Sequence, residues 1–272
     1  MWKILAVAAV ILASYQLAIP RLVPDGGRGH DQWQENLIKA QRLIYHHVSP
    51  TTIVVGSSKL ARLTLPADIY NLSLNGGSSV TGLEIVLRSD AHPRRVVVEI
   101  GEPIMREPDA ALLDSLFGVV NRRLRGAASE LQDMYQPGVL VNHVAQTWAA
   151  AHAMVADDRV SPELYQQLVA AQIEAHSHPP QVGVLERAIL ALRHSVDALR
   201  AQGIDIVFVE PPEAAEVWTS PESLAIRAAL HQAFADVRWF PDPDPAAYRT
   251  SDGVHLDHAS ADRFTAALVA WL

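Results

Sequence analysis

Two short stretches, far apart in the chain, carry side chains of the types and spacing needed for nucleophilic chemistry. Ser57 and Ser58 follow a β-branched run in TTIVVGSSKL, Thr51 to Leu60, and Asp252 and His255 stand in SDGVHL before a terminal amphipathic segment. An unactivated serine hydroxyl is a weak nucleophile and needs an adjacent base. Asp and His three positions apart, on a turn or in a first helical turn, reach one face. The carboxylate can then hold the imidazole in the tautomer and orientation that a general base requires. Set beside Ser58, Asp252 and His255 complete a Ser-His-Asp arrangement in chain order Ser, Asp, His. The plainer alternative is that Ser57 or Ser58 caps the following helix, since serine is a preferred N-cap. Another joins Asp252, His255, Asp257 and His258 as metal ligands, without a second cluster to complete the ligand set that such sites use.

The elements that must position these side chains follow from the apolar pattern. Thr51 to Val55 reads as a buried strand stopped by a sharp turn, with the two serines at its carboxyl end. Ile69 to Leu74 is a second short strand, followed by Asn75-Gly76-Gly77-Ser78-Ser79 and a helix from about Val80 to Arg88. Arg95 to Ile100 is an unbroken apolar run, as expected in the middle of a parallel sheet, and it ends in Gly101-Glu102-Pro103. Ile204 to Val209 is a fourth strand, stopped by Glu210-Pro211-Pro212. A helix at about Glu222 to Ala235, a short strand Val237 to Phe240, a Pro- and Asp-rich loop and a final helix Ala259 to Leu272 complete the chain. Strands alternating with helices predict an α/β fold, a three-layer sandwich around a central parallel sheet. The turns at Gly56-Ser57-Ser58, Asn75-Gly76-Gly77 and Gly101 then fall on one sheet edge, where ligands bind in open α/β folds.

From Met105 to about Gln202 the pattern is helical almost throughout, too long for one crossover. It predicts a helical insertion at about 105–203, with faces such as Leu112, Leu113 and Leu116, or Leu140, Val144 and Trp148. Such an insertion serves as scaffold, lid or partner surface. Ahead of the first strand, Trp33, Leu37, Ala40 and Ile44 have helical spacing, ended by His46 and His47, and PDGGRGHD from Pro24 to Asp31 reads as a flexible tether. Adjacent histidines there complement a helix dipole more simply than they bind a metal.

Composition narrows the function classes. The 272 residues carry a net charge of −8 and no basic cluster interleaved with aromatics, so no nucleic-acid partner is expected. The absence of cysteine excludes disulfides, thiolate metal sites and a cysteine nucleophile. Residues 1–20 begin with Lys3 and continue as an apolar run without a small-x-small cleavage pattern at its end, the form of a membrane anchor or signal, here read as an uncleaved anchor. Lys3 on the inner side places the body of the protein outside the cytoplasm, although Arg21 just past the run opposes that bias. The expected organisation is 1–20 anchor or signal, 21–50 tether and helix, and 51–272 the α/β domain with its insertion. Glu99, Glu102 and Glu210 near strand ends offer a carboxylate pair, His176 and His178 in HSHPP read as a solvated loop, and Pro211-Pro212 as a strand stop.

Three blocks carry a family resemblance. GSS after the first strand, NLSLNGG after the second and the terminal DGVHL before a helix resemble the SGNH (GDSL-type) hydrolase family, over roughly Thr51–Gly101 and Ile204–Leu272. The resemblance implies a flavodoxin-like three-layer fold. It matches Ser58 to the family nucleophile, Asp252 and His255 to the terminal pair, and Gly76 to the oxyanion glycine that acts with the Ser58 N–H. Two positions depart from the pattern. Ser57 stands where many members carry Asp. The third block, usually Gly-x-Asn-Asp, reads Gly101-Glu102-Pro103-Ile104, so Pro103 replaces an oxyanion donor whose loss costs about 100- to 1000-fold in rate. Asn75 or a backbone N–H is the candidate substitute.

The chain also resembles the membrane-anchored members of that superfamily that work beside membrane-bound O-acyltransferases, such as the D-alanine transfer protein of teichoic acid synthesis and the alginate O-acetylation accessory proteins. That likeness implies a tethered, extracytoplasmic serine esterase or O-acyltransferase acting on acyl esters of a cell-envelope polysaccharide. It needs no cofactor, and its partners are the carbohydrate or acyl-ester substrate, a membrane-bound O-acyltransferase and the membrane itself. The alternative, which Pro103 favours, is a binding or scaffolding protein of the same fold with an inactive site.

Overall fold

Runs of β-branched residues build a sheet that is covered on both faces, and Ile53 to Val55, Val96 to Val98 and Val207 to Val209 are fully buried. The computed structural model describes residues 1–24, 26–46, 50–152 and 160–272. In chain order, α1 (Trp2–Leu22) and α2 (Gln32–Tyr45) precede β1 (Thr52–Val55), α3 (Ser58–Ala61), β2 (Ile69–Asn71), α4 (Ser79–Arg88) and β3 (Arg95–Glu99). After a 3₁₀ turn at Glu102–Met105 come α5 (Ala110–Phe117), α6 (Val119–Ala127), α7 (Pro137–His152), α8 (Pro162–Ala175) and α9 (Val182–Ala201). Then follow β4 (Asp205–Val209), α10 (Ala215–Trp218), α11 (Pro221–Ala233), β5 (Arg238–Trp239) and α12 (His258–Trp271).

The sheet has the order β2-β1-β3-β4-β5 and every pairing is parallel. Val54, Val97 and Val207 lie in register and, with Val209, pack against Leu60, Leu256, Phe264 and Leu268. The opposite face meets α4, whose Gly82 lies so close to Val55 that a Cβ there would come within 2.9 Å of it. The expected α/β three-layer sandwich is therefore observed. β2 is shorter than the expected Ile69–Leu74, but its backbone continues along β1 through Leu72 N to Val54 O and Leu74 N to Gly56 O, both 2.8 Å. The strand order changes direction between β1 and β3, so the crevice outside their carboxyl ends is the topological switch point.

Two compact units divide the chain: Ser49–Asp109 with Asp157–Leu272, which holds the sheet, and Met1–Val48 with Ala110–Ala156. The helical stretch expected at about 105–203 is thus shared between them. The helices α5 to α7 group with the N-terminal helices, whereas α8 and α9 belong to the sheet unit. There α9 packs on α4 and on β4, the place of an ordinary crossover helix. Helices of similar pattern follow one another here, so periodicity alone marks no boundary between them.

In the other unit, Leu37, Ala40 and Ile44 of α2 are buried as expected, whereas Trp33 is exposed. His46 ends α2 and contacts Gln132 and Tyr135, while His47 lies outside the described residues. The glycine-rich segment read as a tether is packed at its centre. Gly26 and Gly27 are buried, and the Gly27 N–H donates to Met134 O at 2.7 Å. A Cβ on Gly26, which has φ +65°, would meet Met134 at 2.6 Å. The helix α1 is long and apolar enough to cross a membrane, and none of its residues is buried.

Candidate active site

The turn after β1 gives its two serines different surroundings. Ser57 is the N-cap of α3, its Oγ accepting from the Lys59 N–H at 3.3 Å, which leaves Ser58 as the first helical residue. Beneath the turn lies Glu99, the fully buried last residue of β3. Its carboxylate accepts from the Ser57 N–H at 2.6 Å and from the Ser57 hydroxyl at 2.8 Å. A Cβ at Gly56 would come within 2.4 Å of Glu99 Oε2, so glycine is what lets the turn approach this carboxylate. Buried Lys59 completes the arrangement, with Nζ 2.9 Å from Glu213 and 3.5 Å from Glu99. Burial opposes the charge on Lys59, but Glu213 and Glu99 outweigh it and hold the ammonium above its ordinary range.

Ser58 faces the other way. Its Oγ lies 2.8 Å from His255 Nε2, and His255 Nδ1 lies 2.6 Å from Asp252 Oδ2. The loop before α12 builds this spacing locally. Asp252 Oδ1 accepts from the backbone N–H groups of Val254 at 3.1 Å and His255 at 2.8 Å, and Gly253 supplies the φ of +98° between them. Burial works against the Asp252 charge, yet the ring and backbone hydrogen bonds from His255 prevail and lower its carboxyl to about 2. An ionised Asp252 can only accept, so it fixes the imidazole proton on Nδ1. Nε2 is thereby left to accept from the Ser58 hydroxyl.

Both residues open into a cavity of about 450 Å³ with a mostly polar wall. On it, Arg106 makes a two-pronged pair with Glu102, at 3.0 and 2.8 Å, and donates to Gly77 O at 3.2 Å. The helix α8 supplies Gln172 and His176. The His176 side chain is mostly buried, with Nδ1 2.7 Å from Gln172 O and Nε2 3.9 Å from Glu222. This corrects the solvated-loop reading of that histidine, which ends α8 on the cavity wall. Burial pushes the Glu222 carboxyl up, His176 draws it down, and Glu102 and Glu213 raise it further.

Ser58, His255 and Asp252 are thus brought together. Asn75 and Gly76 are not on the cavity wall. They occupy the turn after β2, with Gly76 at φ +64°, and the bond from Leu74 N to Gly56 O ties the approach to that turn beside the end of β1. Pro103 is buried in the 3₁₀ turn after β3. The three strand-end glutamates do not pair with one another. Glu99 is held by Lys59, Glu102 by Arg106, and Glu210 by Arg227 at 2.7 and 2.9 Å. Asp257 caps α12 by accepting from Ser260 N at 2.8 Å, and among the described residues no group of three or more His, Asp and Glu is placed to hold a metal ion.

The residues that sequence reading missed are Lys59, Glu213, Arg106, Gln172 and Glu222. Lys59 and Arg106 adjoin motif blocks and offered a signal as charges beside strand ends. Gln172 and Glu222 lie on helices whose pattern says nothing about which polar face meets the site.

No protein-family profile and no curated protein matches this chain. Among solved structures, a Streptococcus pneumonia protein provisionally named a platelet activating factor is similar over 98% of this chain and 98% of its own, at 12% identity and a TM-score of 0.46. The fold and the site described above stand on their own geometry, independent of that likeness.

Proposed function

We propose that this chain is a serine-dependent ester hydrolase or acyl transferase of the SGNH type. The observation that carries the reading is the continuous chain of short contacts from Ser58 Oγ through His255 to Asp252 at the switch point of a parallel sheet. In this mechanism Ser58 Oγ attacks the acyl carbonyl carbon as His255 Nε2 takes its proton. The tetrahedral intermediate collapses when His255 returns that proton to the departing alcohol oxygen, leaving the acyl group on Ser58. A water or sugar hydroxyl then gives its proton to His255 and attacks the acyl carbon. Collapse of the second intermediate releases acid or new ester and restores Ser58. Asp252 stays ionised throughout and stabilises the imidazolium. The Ser58 N–H, in the first turn of α3, serves as one oxyanion donor, whereas Gly76 and Asn75, the further donors that the resemblance implies, lie in the turn after β2 and off the cavity wall.

The polar cavity wall supports a carbohydrate ester in preference to a long acyl chain. The apolar length of α1 supports a membrane-tethered protein. Together they favour acyl transfer on a cell-envelope polysaccharide, with the site outside the cytoplasm and a membrane-bound O-acyltransferase as acyl supplier. An oxyanion hole lacking one donor slows hydrolysis of simple esters, whereas a positioned acceptor offsets several kcal/mol of barrier. The test is the ratio of acylated sugar to free acid formed from one activated acetyl donor in the presence of an oligosaccharide. Transfer should exceed hydrolysis. Brisk hydrolysis with no acylated sugar leaves an esterase, and neither product from a folded protein leaves a scaffold.

A further inference from the structure

The helix α6 is turned inside out. Two of its three arginines face its own unit: Arg125 donates to Ser115 O at 2.6 Å and reaches Asp133 at 3.2 Å, and Arg122 lies over the Phe117 ring. Its apolar side chains face outward, with Val119 and Val120 each 68% exposed and Leu124 51%, and none of its residues is buried. A helix in a water-soluble unit buries that stripe. On α7, Val141 and Val144, three residues apart, are as open as these.

The position of α1, in the same unit, says what covers this face. α1 has 21 residues. At 1.5 Å per residue that is about 31 Å, against a hydrocarbon core of about 30 Å. Spanning therefore uses its whole length, and Gln16 lies roughly 9 Å inside the boundary at its Leu22 end. Yet Gln16 Nε2 donates to Ala127 O at 3.0 Å, Tyr15 Oη donates to Tyr135 O, and Ile19 packs against the cluster of Ile38, Met134, Tyr135 and Val139. Ala127 is the last residue of α6. A carbonyl bonded to Gln16 sits at the depth of Gln16, so the end of α6 is carried below the headgroups with it.

We infer that α6 is an interfacial membrane helix, with Val119, Val120 and Leu124 in the leaflet at the C-terminal end of α1. Arg123, exposed among them, extends its aliphatic stem along the acyl chains and its guanidinium to lipid phosphate. The unit holds the bilayer by a span and by a second helix lying in the surface. This inference rests on α1 being a membrane span.

The absence of cysteine allows a direct test on the full-length chain. Single cysteines replacing Leu17, Val120 or Leu124 are labelled with an environment-sensitive fluorophore. Each protein, once shown to keep the wild-type thermal transition, is reconstituted into vesicles of phosphatidylethanolamine and phosphatidylglycerol. Labels at 120 and 124 should be quenched by lipid bearing a doxyl group high on its acyl chain, to about the extent seen at 17 within a factor of two, and shielded from aqueous iodide. A label at 17 quenched by lipid, with those at 120 and 124 open to iodide, overturns the inference while the span survives. Shielding at 120 and 124 that appears only in native membranes also overturns it, and assigns the face to a protein partner. A label at 17 open to iodide removes the span itself.

Discussion

The two sides of the turn after β1 handle polar groups in opposite ways. On the inner side, Glu99 is fully buried and Ser57, Lys59 and Glu213 nearly so at the cavity floor, and each finds its partner among the others. On the outer side, Ser58, His255 and Asp252 are only partly buried, and their chain of contacts ends at a cavity. Adjacent serines are therefore held differently, one anchoring the turn and one opening on the cavity, where the proposed mechanism puts the substrate. A buried ionic cluster is a poor source of net stability, because desolvation offsets most of the attraction, but removing one member is costly. The inner cluster fixes the backbone from which Ser58 projects. The outer triad must stay free to exchange a proton.

That contrast predicts that outer-side changes act mainly on turnover, with a stability cost confined to what Asp252 contributes, whereas inner-side changes act mainly on stability. The largest effect is expected for Asp252→Asn, which permits the wrong imidazole tautomer and should lower turnover by roughly 10⁴-fold. Its stability cost is specific in pH. The Asp252 carboxyl is lowered in the fold to about 2 from an ordinary value of 3.8, so its contribution is complete above 3.8 and is lost as pH falls towards 2. Urea titrations of wild type and Asp252→Asn should differ by a constant amount from neutral pH to about 4 and converge near 2. A difference that grows on acidification would break the assignment.

On the inner side, Glu99→Ala strips the Ser57 N–H and hydroxyl of their acceptor and should cost about 3 kcal/mol in unfolding free energy. Ser57→Ala, which removes the cap of α3, should cost about 1 kcal/mol and leave turnover within an order of magnitude. If Ser57→Ala abolished turnover at unchanged stability, the division of duties between the two serines would be wrong.

The fold was legible in the sequence where one local signal decided it. β-branched runs ending in Gly-Ser, Asn-Gly-Gly and Gly-Glu-Pro marked the strand ends, and Asp252-Gly253-Val254-His255 placed carboxylate and imidazole on one loop. What was not legible depends on distant packing. Gly26 and Gly27 read as tether because composition does not distinguish a flexible glycine from one buried against Met134. Glu99, Lys59 and Glu213 lie at or just past the carboxyl ends of three different strands, and no spacing rule links them. The helix α8 is bounded by Ser161-Pro162 and by HSHPP, but nothing in that pattern says which of its polar side chains meets the cavity, so its contribution of Gln172 and His176 had no sequence signal.

The central claim is that Ser58, activated by His255, is the nucleophile. Its most direct test is active-site labelling of the folded protein by a serine-directed fluorophosphonate, followed by peptide mass spectrometry. Modification should fall on Ser58, persist in Ser57→Ala and disappear in Ser58→Ala and His255→Ala. Undiminished labelling of Ser58→Ala, or labelling that does not depend on His255, would contradict it.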